Sequence, residues 1–555
     1  MSSAPSHPQR KYSLNEAVDF VVVGCGAAGS VFARELSQNG FSVVVLEQGP
    51  WKSAKDFGHN EYLNWSNAAL TNDWRKQPQT FRRTPQDKAQ KQPSIMYGRL
   101  VGGGPVHFTA NYWRFHEIDF IEASKKGTIA GTGFADWPIT YADIEPYYTK
   151  AEWDLGVSGQ AGVSPFDPPR TKPYPLPPMP VKPDGVLFER GARKLGYHPF
   201  PAPVAVISKT YQGRMACQHC GWCEGFGCEH GAKSSPLPSL IPQAVATGRC
   251  EIRPHSYVHT IEVNDQGRAT AAVYFDEHKV ERRQRAKAIV VAANGAETPR
   301  LLLMSKSKRF PEGLANSSGL VGKYLMFNTD PMSAGVFEHE LNGYKSIEVT
   351  RILQDFYEID PKLGFYGGGG ISARFQNYPI TFAFGGLSPA APQWGSEYKK
   401  LLAKNFNRTM VLMGHGTSLP VESNSISLDD TVKDDWGLPV MRVTYKDHPD
   451  DLKFAKYLQD RSLEILEAAG AQERWAYPIT ESSFAVHLLG TSRMGSDPKS
   501  SVVNADHRAH DVPNLCLCDG SSFVTSGRGQ PTEHIQALAF RASDHITALA
   551  KKGEM

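Results

Sequence analysis

Four cysteines lie close together in the segment CQHCGWCEGFGC. They are Cys217, Cys220, Cys223 and Cys228, at the spacing C-x2-C-x2-C-x4-C. Such a spacing can wrap one segment around a compact soft-metal centre, and successive x2 gaps are typical of iron–sulfur proteins. Four thiolates also suit Zn²⁺, although zinc motifs more often come as two separated C-x2-C pairs. The spacing therefore favours an iron–sulfur cluster over zinc, with a disulfide pair or free thiols as the third alternative.

A glycine-rich turn near the N-terminus has the pattern of a dinucleotide site. Gly24, Gly26 and Gly29 form G-x-G-x-x-G directly after an apolar run. In such turns the first glycine permits the bend, the second lets the pyrophosphate approach the backbone, and the third lets helix and strand pack closely. Glu47 ends the next apolar run, where a carboxylate can accept from a ribose 2′-hydroxyl. An acidic residue without an adjacent arginine argues against a 2′-phosphate and leaves NAD or FAD.

The elements that must position these residues can be read from the hydrophobic pattern. Residues 18–47 predict strand, glycine turn, amphipathic helix and a second strand, which is a βαβ unit. Residues 286–305 predict a buried strand, a turn and a helix, hence a second crossover. Residues 326–480 alternate like an antiparallel sheet with helices on one face, including a helix over Leu452–Ala469. The chain closes with a short strand near 514–518 and a helix over Pro531–Lys551.

Two segments lack such a pattern. Residues 51–97 are polar and without a sustained period, which predicts a loop with short helices. Nine prolines between Pro165 and Pro183 exclude a regular element there, so we expect an extended arm that crosses the surface or binds a partner.

Composition narrows the class of protein. A chain of 555 residues with 40% hydrophobic residues has room for more than one domain. The net charge of +3 gives no single-sign field that would indicate nucleic acid. The longest mostly apolar stretch, Val18 to Ala33, falls short of the ~20 residues of a membrane span. The N-terminus has no apolar core of signal length and no twin arginine, so we expect no export signal in this chain.

Five ordered motifs carry a family resemblance. They are GCGAAGS followed by Glu47, GRLVGGGPVHF at 98–108, NGAETPRLLLMS at 294–305, the segment 487–510 that begins HLLGTSRMG, and the segment 514–546 that begins NLCLCDG. In this order and over nearly the whole length, the chain resembles the glucose–methanol–choline (GMC) oxidoreductases. The resemblance implies FAD and an α/β fold, with a Rossmann-like FAD-binding domain of the p-hydroxybenzoate hydroxylase type and an α+β substrate domain on an antiparallel sheet.

The resemblance also implies the site residues. The expected FAD-binding residues are Gly24, Gly26, Ala28, Gly29, Glu47, Gly102, Gly103, His107, Ala296, Asp519, Gly520, Pro531 and Thr532. The helix that begins near Pro531 should point its N-terminus at the flavin ring, where backbone donors stabilise negative charge. His107 aligns with a position that bears covalent flavin in some relatives, so covalent attachment is a hypothesis for this chain.

His487, in the context H-x-x-G-T, falls where the family has its active-site histidine, and we predict it to be the general base. A second catalytic position, His or Asn in most relatives, is Gln530 here. Glutamine keeps a donor and an acceptor, but its amide sits one methylene further out. Glu533 and His534 replace the residues usual there, and His534 either reaches the flavin edge or points into helix packing.

The cysteine segment resembles that of a bacterial branch of the family, the large subunits of gluconate, fructose, FAD-dependent glucose and glycoside 3-dehydrogenases. That likeness implies a [3Fe-4S] cluster, although four cysteines also permit [4Fe-4S]. It implies a dehydrogenase that oxidises a hydroxyl of a sugar, sugar acid or glycoside and passes electrons to a cytochrome c. Gln530 and its flanking GRGQPT slightly favour oxidation at C3 of glycosides. A small signal-bearing subunit and periplasmic co-export follow from it, with a cytoplasmic enzyme as the alternative.

Two other functions are compatible with the sequence. One is an H2O2-forming alcohol oxidase with a structural metal, and the other is an electron-transfer or assembly subunit without turnover. For the substrate walls we predict Trp436, Asn424 and Tyr366. The predicted division of the chain is 1–125 for the first FAD-binding part with its lid, 126–200 for an insertion and arm, 201–325 for the cluster segment and second FAD part, 326–480 for the substrate domain and 481–555 for the third FAD part.

Overall fold

The computed structural model describes residues 9–374 and 378–555. The helices are α1 (Ala27–Gln38), α2 (Glu61–Ser66), α3 (Glu117–Phe120), α4 (Glu122–Lys126), α5 (Tyr141–Leu155), α6 (Pro183–Lys194), α7 (Leu240–Ala246), α8 (Asn294–Met304), α9 (Pro379–Gly385), α10 (Gly395–Asn405), α11 (Pro449–Ala469) and α12 (Thr532–Lys551). The strands are β1 (Val18–Val23), β2 (Val43–Leu46), β3 (Thr80–Arg82), β4 (Gln90–Lys91), β5 (Phe200–Pro201), β6 (Cys250–Arg253), β7 (Tyr257–Val263), β8 (Ala269–Phe275), β9 (Glu281–Val291), β10 (Met332–Val336), β11 (Val349–Leu353), β12 (Gly369–Arg374), β13 (Thr409–Gly416), β14 (Ser425–Lys433), β15 (Pro439–Thr444), β16 (Glu473–Ala476) and β17 (Leu515–Leu517).

The first sheet is parallel at its centre. Its strands run in the order β6, β2, β1 and β9, with β17 on the far side of β9, and these pairings are all parallel. The hairpin β7–β8 pairs antiparallel with the first half of β9. β1, β2 and the end of β9 are rich in valine, isoleucine and other apolar residues, as expected for strands covered on both faces, with Asp19 the polar exception in β1. The predicted βαβ unit and the second crossover from β9 into α8 are confirmed.

The second sheet is antiparallel, in the order β16, β10, β13, β12, β11 and β5. Helices α11 and α6 pack together and against its strands. The prediction of such a sheet is confirmed, with one difference: β5 comes from residues before the predicted block. α11 begins three residues earlier than predicted, because His448 and Asp451 form a capping box ahead of Pro449.

A third, smaller sheet connects distant parts of the chain. Its order is β14, β15, β3 and β4, so strands from the predicted substrate block pair with strands from residues 80–91. The sequence prediction of a loop with short helices over 51–97 found α2 but missed these two short strands. The proline-rich segment has no helix or strand before α6 begins at Pro183, as predicted.

The strand order of the first sheet indicates where a ligand can bind. β1, β9 and β17 are parallel, so the segments that follow them meet at one edge of the first sheet. Ligands of open α/β sheets bind at the carboxyl ends of such strands. Among the described residues, no helix is both long and apolar enough to cross a membrane.

Candidate active site and cysteine segment

A cavity of about 450 Å³ opens at the carboxyl ends of β1, β9 and β17. The predicted site residues that line it are Gly24, Gly26, Ala28, Glu47, Gly103, His107, His487, Asp519, Gly520, Gln530, Pro531 and Thr532. They come from five separate stretches of sequence, which the fold brings to one place. Gly29, Gly102 and Ala296 stand behind this lining, and Ala296 belongs to an apolar cluster of the core.

The glycine turn after β1 has the geometry that a dinucleotide requires. Gly24 has a φ of +93°, and a Cβ on it would lie 2.5 Å from the carbonyl oxygen of Ala292. A Cβ on Gly29 would lie 2.0 Å from the Gly24 carbonyl oxygen, so α1 can pack against the turn only with glycine there. No side chain caps α1 at Gly26, and its first N–H groups are therefore left for phosphate oxygens.

The Glu47 carboxylate is held rigidly at the end of β2. Its Oε2 accepts from the Cys25 backbone N–H at 2.9 Å, and its Oε1 accepts from the Gly49 N–H at 2.8 Å. Burial raises the pKa of Glu47, and the two backbone donors oppose that shift. Each oxygen retains a lone pair that can accept from a ribose hydroxyl, as the sequence predicted.

Asp519 joins two other walls of the cavity. Its Oδ2 accepts from the Asn294 N–H at 3.0 Å and from the Thr298 hydroxyl at 2.6 Å, while its Oδ1 accepts from the Ser521 N–H at 2.7 Å. The carboxylate thus ties the start of α8 to the 3-10 turn Gly520–Ser522. We infer that it positions Gly520 for the cofactor.

His107 follows a 3-10 turn, Gly104–Val106, and lines the cavity. Its Nε2 is buried and has no hydrogen-bond partner among the described residues. Burial and the nearby Lys233 lower the pKa of His107 to about 4, so the ring is neutral at pH 7. A neutral ring in the cavity lining fits a flavin-contacting residue, and covalent attachment stays a prediction.

The catalytic candidates belong to a polar array that crosses three elements. Gln530 Nε2 lies 3.0 Å from Nδ1 of His415, and His415 Nε2 lies 2.8 Å from the Ser372 hydroxyl. Since an amide nitrogen can only donate, neutral His415 carries its proton on Nε2 and donates to Ser372. This arrangement fixes the Gln530 amide and leaves its carbonyl oxygen for a further donor. The Asp330 carboxylate lies 3.5 Å from His415 Nδ1.

His487 has the properties of a neutral base. It lines the cavity, and its buried Nδ1 has no hydrogen-bond partner among the described residues. Burial lowers the pKa of His487; Asp330 and then Gln530 oppose this shift, and Arg374 adds to it. The imidazole is therefore neutral near pH 7 and can take a proton from a bound hydroxyl.

Sequence reasoning missed three residues of this region, His415, Asp330 and Arg374. Asp330 and Arg374 line the cavity, and His415 orients Gln530. They lie on or beside β10, β12 and β13, whose spacing in sequence carries no motif. The only available signal was the pair of polar residues that interrupt apolar strands, His415 in TMVLMGHG and Arg374 in GGISAR.

The predicted substrate walls are wrong. Trp436 packs against Tyr257 at a ring distance of 4.9 Å, away from the cavity. Asn424 hydrogen-bonds the backbone of Lys446, and Tyr366 donates to the Glu122 carboxylate. All three residues lie outside the cavity lining: the polar groups of Asn424 and Tyr366 are bonded to neighbouring elements, and the Trp436 ring packs on Tyr257, a lining residue.

His534 points into helix packing, which decides between the two expectations for it. Its ring stacks on Phe115 at 4.2 Å, and its Nδ1 lies 2.5 Å from the Tyr148 hydroxyl. Glu533 is buried 4.0 Å from the Arg114 guanidinium, also away from the cavity. Only Pro531, Thr532 and Ile535 of this helix start line the cavity.

The four cysteines line one small cavity of their own, next to the first one. Cys217 and Cys228 pack on the apolar cluster formed by Leu176, Ile207 and Ala232. A single tetrahedral metal with Zn–S bonds of about 2.3 Å would draw its thiolates to within about 4 Å of one another. Within the described ranges, Cys220, His59 and Glu229 have ligand atoms that lie within 4.8 Å of one another, and the four cysteines do not form such a group.

The backbone of the cysteine segment supports an anionic centre. His219, Gly221, Trp222 and Gly225 all have positive φ, a backbone conformation that also occurs in anion-binding nests. The His219 N–H donates to Cys217 Sγ at 3.4 Å. Such N–H···S bonds are among the features that tune iron–sulfur centres. These residues fit an iron–sulfur cluster.

Known proteins match the chain along its length. Two family profiles described as GMC oxidoreductase match residues 18–326 and 420–539. The chain belongs to the GMC oxidoreductase family. It is therefore an FAD-dependent oxidoreductase that acts on CH–OH donors of the alcohol or sugar type. The glycine turn, Glu47 and the helix starts described above fit the FAD of this family.

Three curated relatives cover nearly the whole chain. A 2-methyl-1,2-propanediol dehydrogenase of Mycolicibacterium austroafricanum is 36% identical and covers 96% of this chain and 95% of its own. The fructose dehydrogenase large subunit of Gluconobacter japonicus is 31% identical, over 97% of this chain and 99% of its own. The gluconate 2-dehydrogenase flavoprotein of Pantoea cypripedii is 27% identical, over 95% of this chain and 93% of its own. The expected likeness to sugar dehydrogenases is confirmed, and a diol dehydrogenase is more similar than either.

Solved structures show the same fold at low identity. Formate oxidase from Aspergillus oryzae, studied for modification of its FAD, superimposes with a TM-score of 0.69 at 13% identity, covering 98% of this chain and 100% of that one. Pyridoxine 4-oxidase from Mesorbium loti has a TM-score of 0.61 at 15% identity, over 95% and 98%. The expected GMC fold is confirmed.

Proposed function

We propose that the protein is a GMC dehydrogenase that oxidises a hydroxyl of a polyhydroxylated substrate and passes the electrons, through an iron–sulfur cluster, to a partner protein. One observation carries the proposal. The backbone N–H of Gly225, in the cysteine segment, donates to the carbonyl oxygen of His107 at 2.8 Å. His107 lines the cavity that fits FAD, so the two centres are built against each other.

The residues around His487 supply the acid–base half of the reaction. His487 takes the hydroxyl proton, and Gln530, held by His415, hydrogen-bonds the substrate oxygen. FAD, when bound, is the acceptor of the hydride from the same carbon. The walls contributed by Met413, Leu488 and Ile535 exclude water around the reacting groups.

The cysteine segment supplies a route for single electrons. A cluster held by Cys217, Cys220, Cys223 and Cys228, or by three of them as [3Fe-4S], is a one-electron carrier. An enzyme that delivers electrons to oxygen needs no such second centre. Since one relative is named a large subunit, a partner subunit and a cytochrome acceptor are consistent with this chain. Export of a complex to the periplasm remains part of the proposal without a structural test.

The polar walls favour a substrate with several hydroxyl groups. Asp330, Arg374 and Glu224 line the cavity beside His487 and Gln530. The Arg374 guanidinium pairs with Glu224, so a fixed array of donors and acceptors faces the substrate region. Diols, sugars, sugar acids and glycosides offer matching hydroxyls, and the named substrates of the relatives belong to these classes.

Anaerobic reduction of the purified holoenzyme tests the proposal. The panel contains 2-methyl-1,2-propanediol, fructose, gluconate, a methyl glycoside and its 3-deoxy analogue. Flavin absorbance should bleach with at least one of them, and electron paramagnetic resonance on the same sample should show a cluster whose signal changes with reduction. Loss of the reaction only with the 3-deoxy analogue would place the oxidation at C3.

His487→Ala should slow flavin reduction by about 10² to 10⁴-fold. His510→Ala, whose ring contacts Ser501 outside the cavity, is the control and should leave the rate unchanged. Bound zinc without a cluster signal, together with peroxide formation that artificial acceptors do not affect, would establish an oxidase instead. A His487→Ala rate equal to that of the wild type would exclude the assigned base.

A further inference from the structure

Lys233 lies between the flavin-side segment and the cysteine segment. Its side chain is buried, with 2% of the residue exposed. The Nζ lies within hydrogen-bond distance of four backbone carbonyl oxygens: Val106 at 3.4 Å, Phe108 at 3.1 Å, Cys223 at 2.5 Å and Phe226 at 2.8 Å. Two of these carbonyls flank His107, and the other two belong to the cysteine segment.

This contact ties two segments that are more than a hundred residues apart. An ammonium group has three donors in flexible directions, so it can hold several carbonyls where a neutral side chain could not. The bond between the Gly225 N–H and the His107 carbonyl lies beside it. Loss of the Nζ would leave four carbonyl oxygens facing a cavity, with only that one hydrogen bond to keep the segments in register.

The charge of Lys233 also needs a counter-charge. Within residues 9–374 and 378–555, no carboxylate forms an ion pair with its Nζ. A buried cation without a partner is costly, and carbonyl dipoles offset only part of that cost. Burial lowers the pKa of Lys233, and negative charge on Cys223, whose carbonyl it binds, and on Cys228 opposes that shift most, followed by Glu348 and Glu224. An anionic cluster on these cysteines therefore suits the site.

We propose that Lys233 is a positioning residue for electron transfer: it locks the cysteine segment onto the His107 segment, and its positive charge raises the reduction potential of the cluster. The inference rests on the proposed cluster function. Reduction adds negative charge to the cluster, and a buried cation next to two of its ligands stabilises the reduced form more than the oxidised one. Net charge and hydrogen bonding around a cluster are known determinants of its potential.

The test is a redox titration of the purified, FAD-loaded protein, monitored by electron paramagnetic resonance. Lys233→Met keeps the apolar stem and removes the charge, and its cluster should have a lower midpoint potential than the wild type. Lys233→Arg keeps the charge, and its cluster should have a midpoint potential close to that of the wild type. Substrate-driven flavin reduction should change by less than about threefold in both, while reoxidation of reduced flavin by a one-electron acceptor slows in Lys233→Met.

Lys182→Met is the matched control. Lys182 is also a buried lysine on backbone carbonyls, those of Gly343, Ile347 and Glu348, and it lies 3.6 Å from the Asp184 carboxylate. The segment it holds packs on the cysteine segment, since the Ser346 N–H donates to the His219 carbonyl, but none of its three carbonyls belongs to the cysteine segment, so it controls for loosened packing. Its substitution should lower stability and leave the cluster potential unchanged.

Three results decide the matter. Full cluster content in Lys233→Met with an unchanged midpoint potential would overturn the inference and leave the proposed function standing. Absence of any cluster signal in the wild type would instead overturn the proposed function. Lys233→Met and Lys233→Gln could both lose the cluster. In that case a Lys233→Arg variant that keeps the cluster at the wild-type potential supports the requirement for a positive charge, and loss of the cluster in all three variants refutes it.

Discussion

The segment that carries Gln530 depends on a buried ion cluster, and its removal gives a prediction with a definite size. Arg528 has a side chain with no exposed surface; its Nη1 donates to Asp119 at 2.6 Å, and its Nη2 donates to Glu122. Both carboxylates are themselves essentially unexposed. Burial raises the pKa of Asp119 and raises that of Glu122 to about 7, while Arg528 opposes both shifts. We expect Arg528→Met to leave two buried carboxyl groups without a cation.

The cost follows from proton uptake. At pH 7 the folded variant must bind a proton on each carboxyl, and each costs about 1.4 kcal/mol per pH unit above its ordinary pKa of 3.8 or 4.5. Glu122 is already about half protonated in the wild type, so the additional cost comes mainly from Asp119. The expected loss of unfolding free energy is about 3 to 5 kcal/mol, the range measured when one partner of a buried pair is removed.

The stability difference between the wild type and Arg528→Met depends on pH. A carboxyl whose folded pKa is raised binds its proton more tightly when folded, so its contribution is present at low pH and is lost as the pH rises through the folded pKa. Glu122 gives this pH dependence of stability in both the wild type and Arg528→Met. Asp119 gives it in full only in Arg528→Met, where no arginine opposes its protonation. The stability gap should therefore narrow by about 1.4 kcal/mol per pH unit between pH 7 and 5.

Urea unfolding of the FAD-loaded protein, followed by tryptophan fluorescence at pH 7 and pH 5, measures the gap. The double variant Arg528→Met with Asp119→Asn is the control. It should recover at least half of the lost unfolding free energy, because it no longer buries the Asp119 carboxyl group. A loss below 1 kcal/mol at pH 7, or a gap that does not narrow at pH 5, would refute the reasoning.

Three further predictions concern the cavity. Because burial lowers the pKa of His487, the rate of flavin reduction should be constant above pH 7 and should decrease only at a pH below 6.5. Asp330→Asn removes a charge that opposes this lowering, so in anaerobic stopped-flow measurements the decrease should move to lower pH. A move to higher pH would contradict this assignment. Gly103→Ala should reduce the FAD content per chain, since its Cβ would lie 2.5 Å from Gly26 Cα, whereas Gly58→Ala, outside the cavity lining and with no atom within 4 Å of its Cβ, should not. If FAD is attached to His107, the acid-precipitated protein stays yellow, and a colourless pellet means that the flavin is not covalently bound.

Local patterns in the sequence were enough for the framework. The valine-rich strands, the glycine turn and the family motifs predicted the parallel sheet, FAD and a part of the cavity lining, because each depends on residues within one turn or one strand. The iron–sulfur cluster indicated by the cysteine spacing stays a prediction. Element boundaries were less certain where a cap such as His448 extends a helix, and three-residue strands such as β3 carry no periodicity to recognise.

What only the tertiary structure decided is which distant side chains meet. His415, on a strand more than a hundred residues earlier in the chain, reaches Gln530, and Asp330 reaches His415. Lys233 joins two segments by binding backbone carbonyls, which leave no trace in side-chain sequence. Tyr366 and Trp436 had the chemistry of substrate walls, yet both are used in packing. A sequence shows which groups a residue can offer; the sheet register and the packing of its helices determine which partner each group receives.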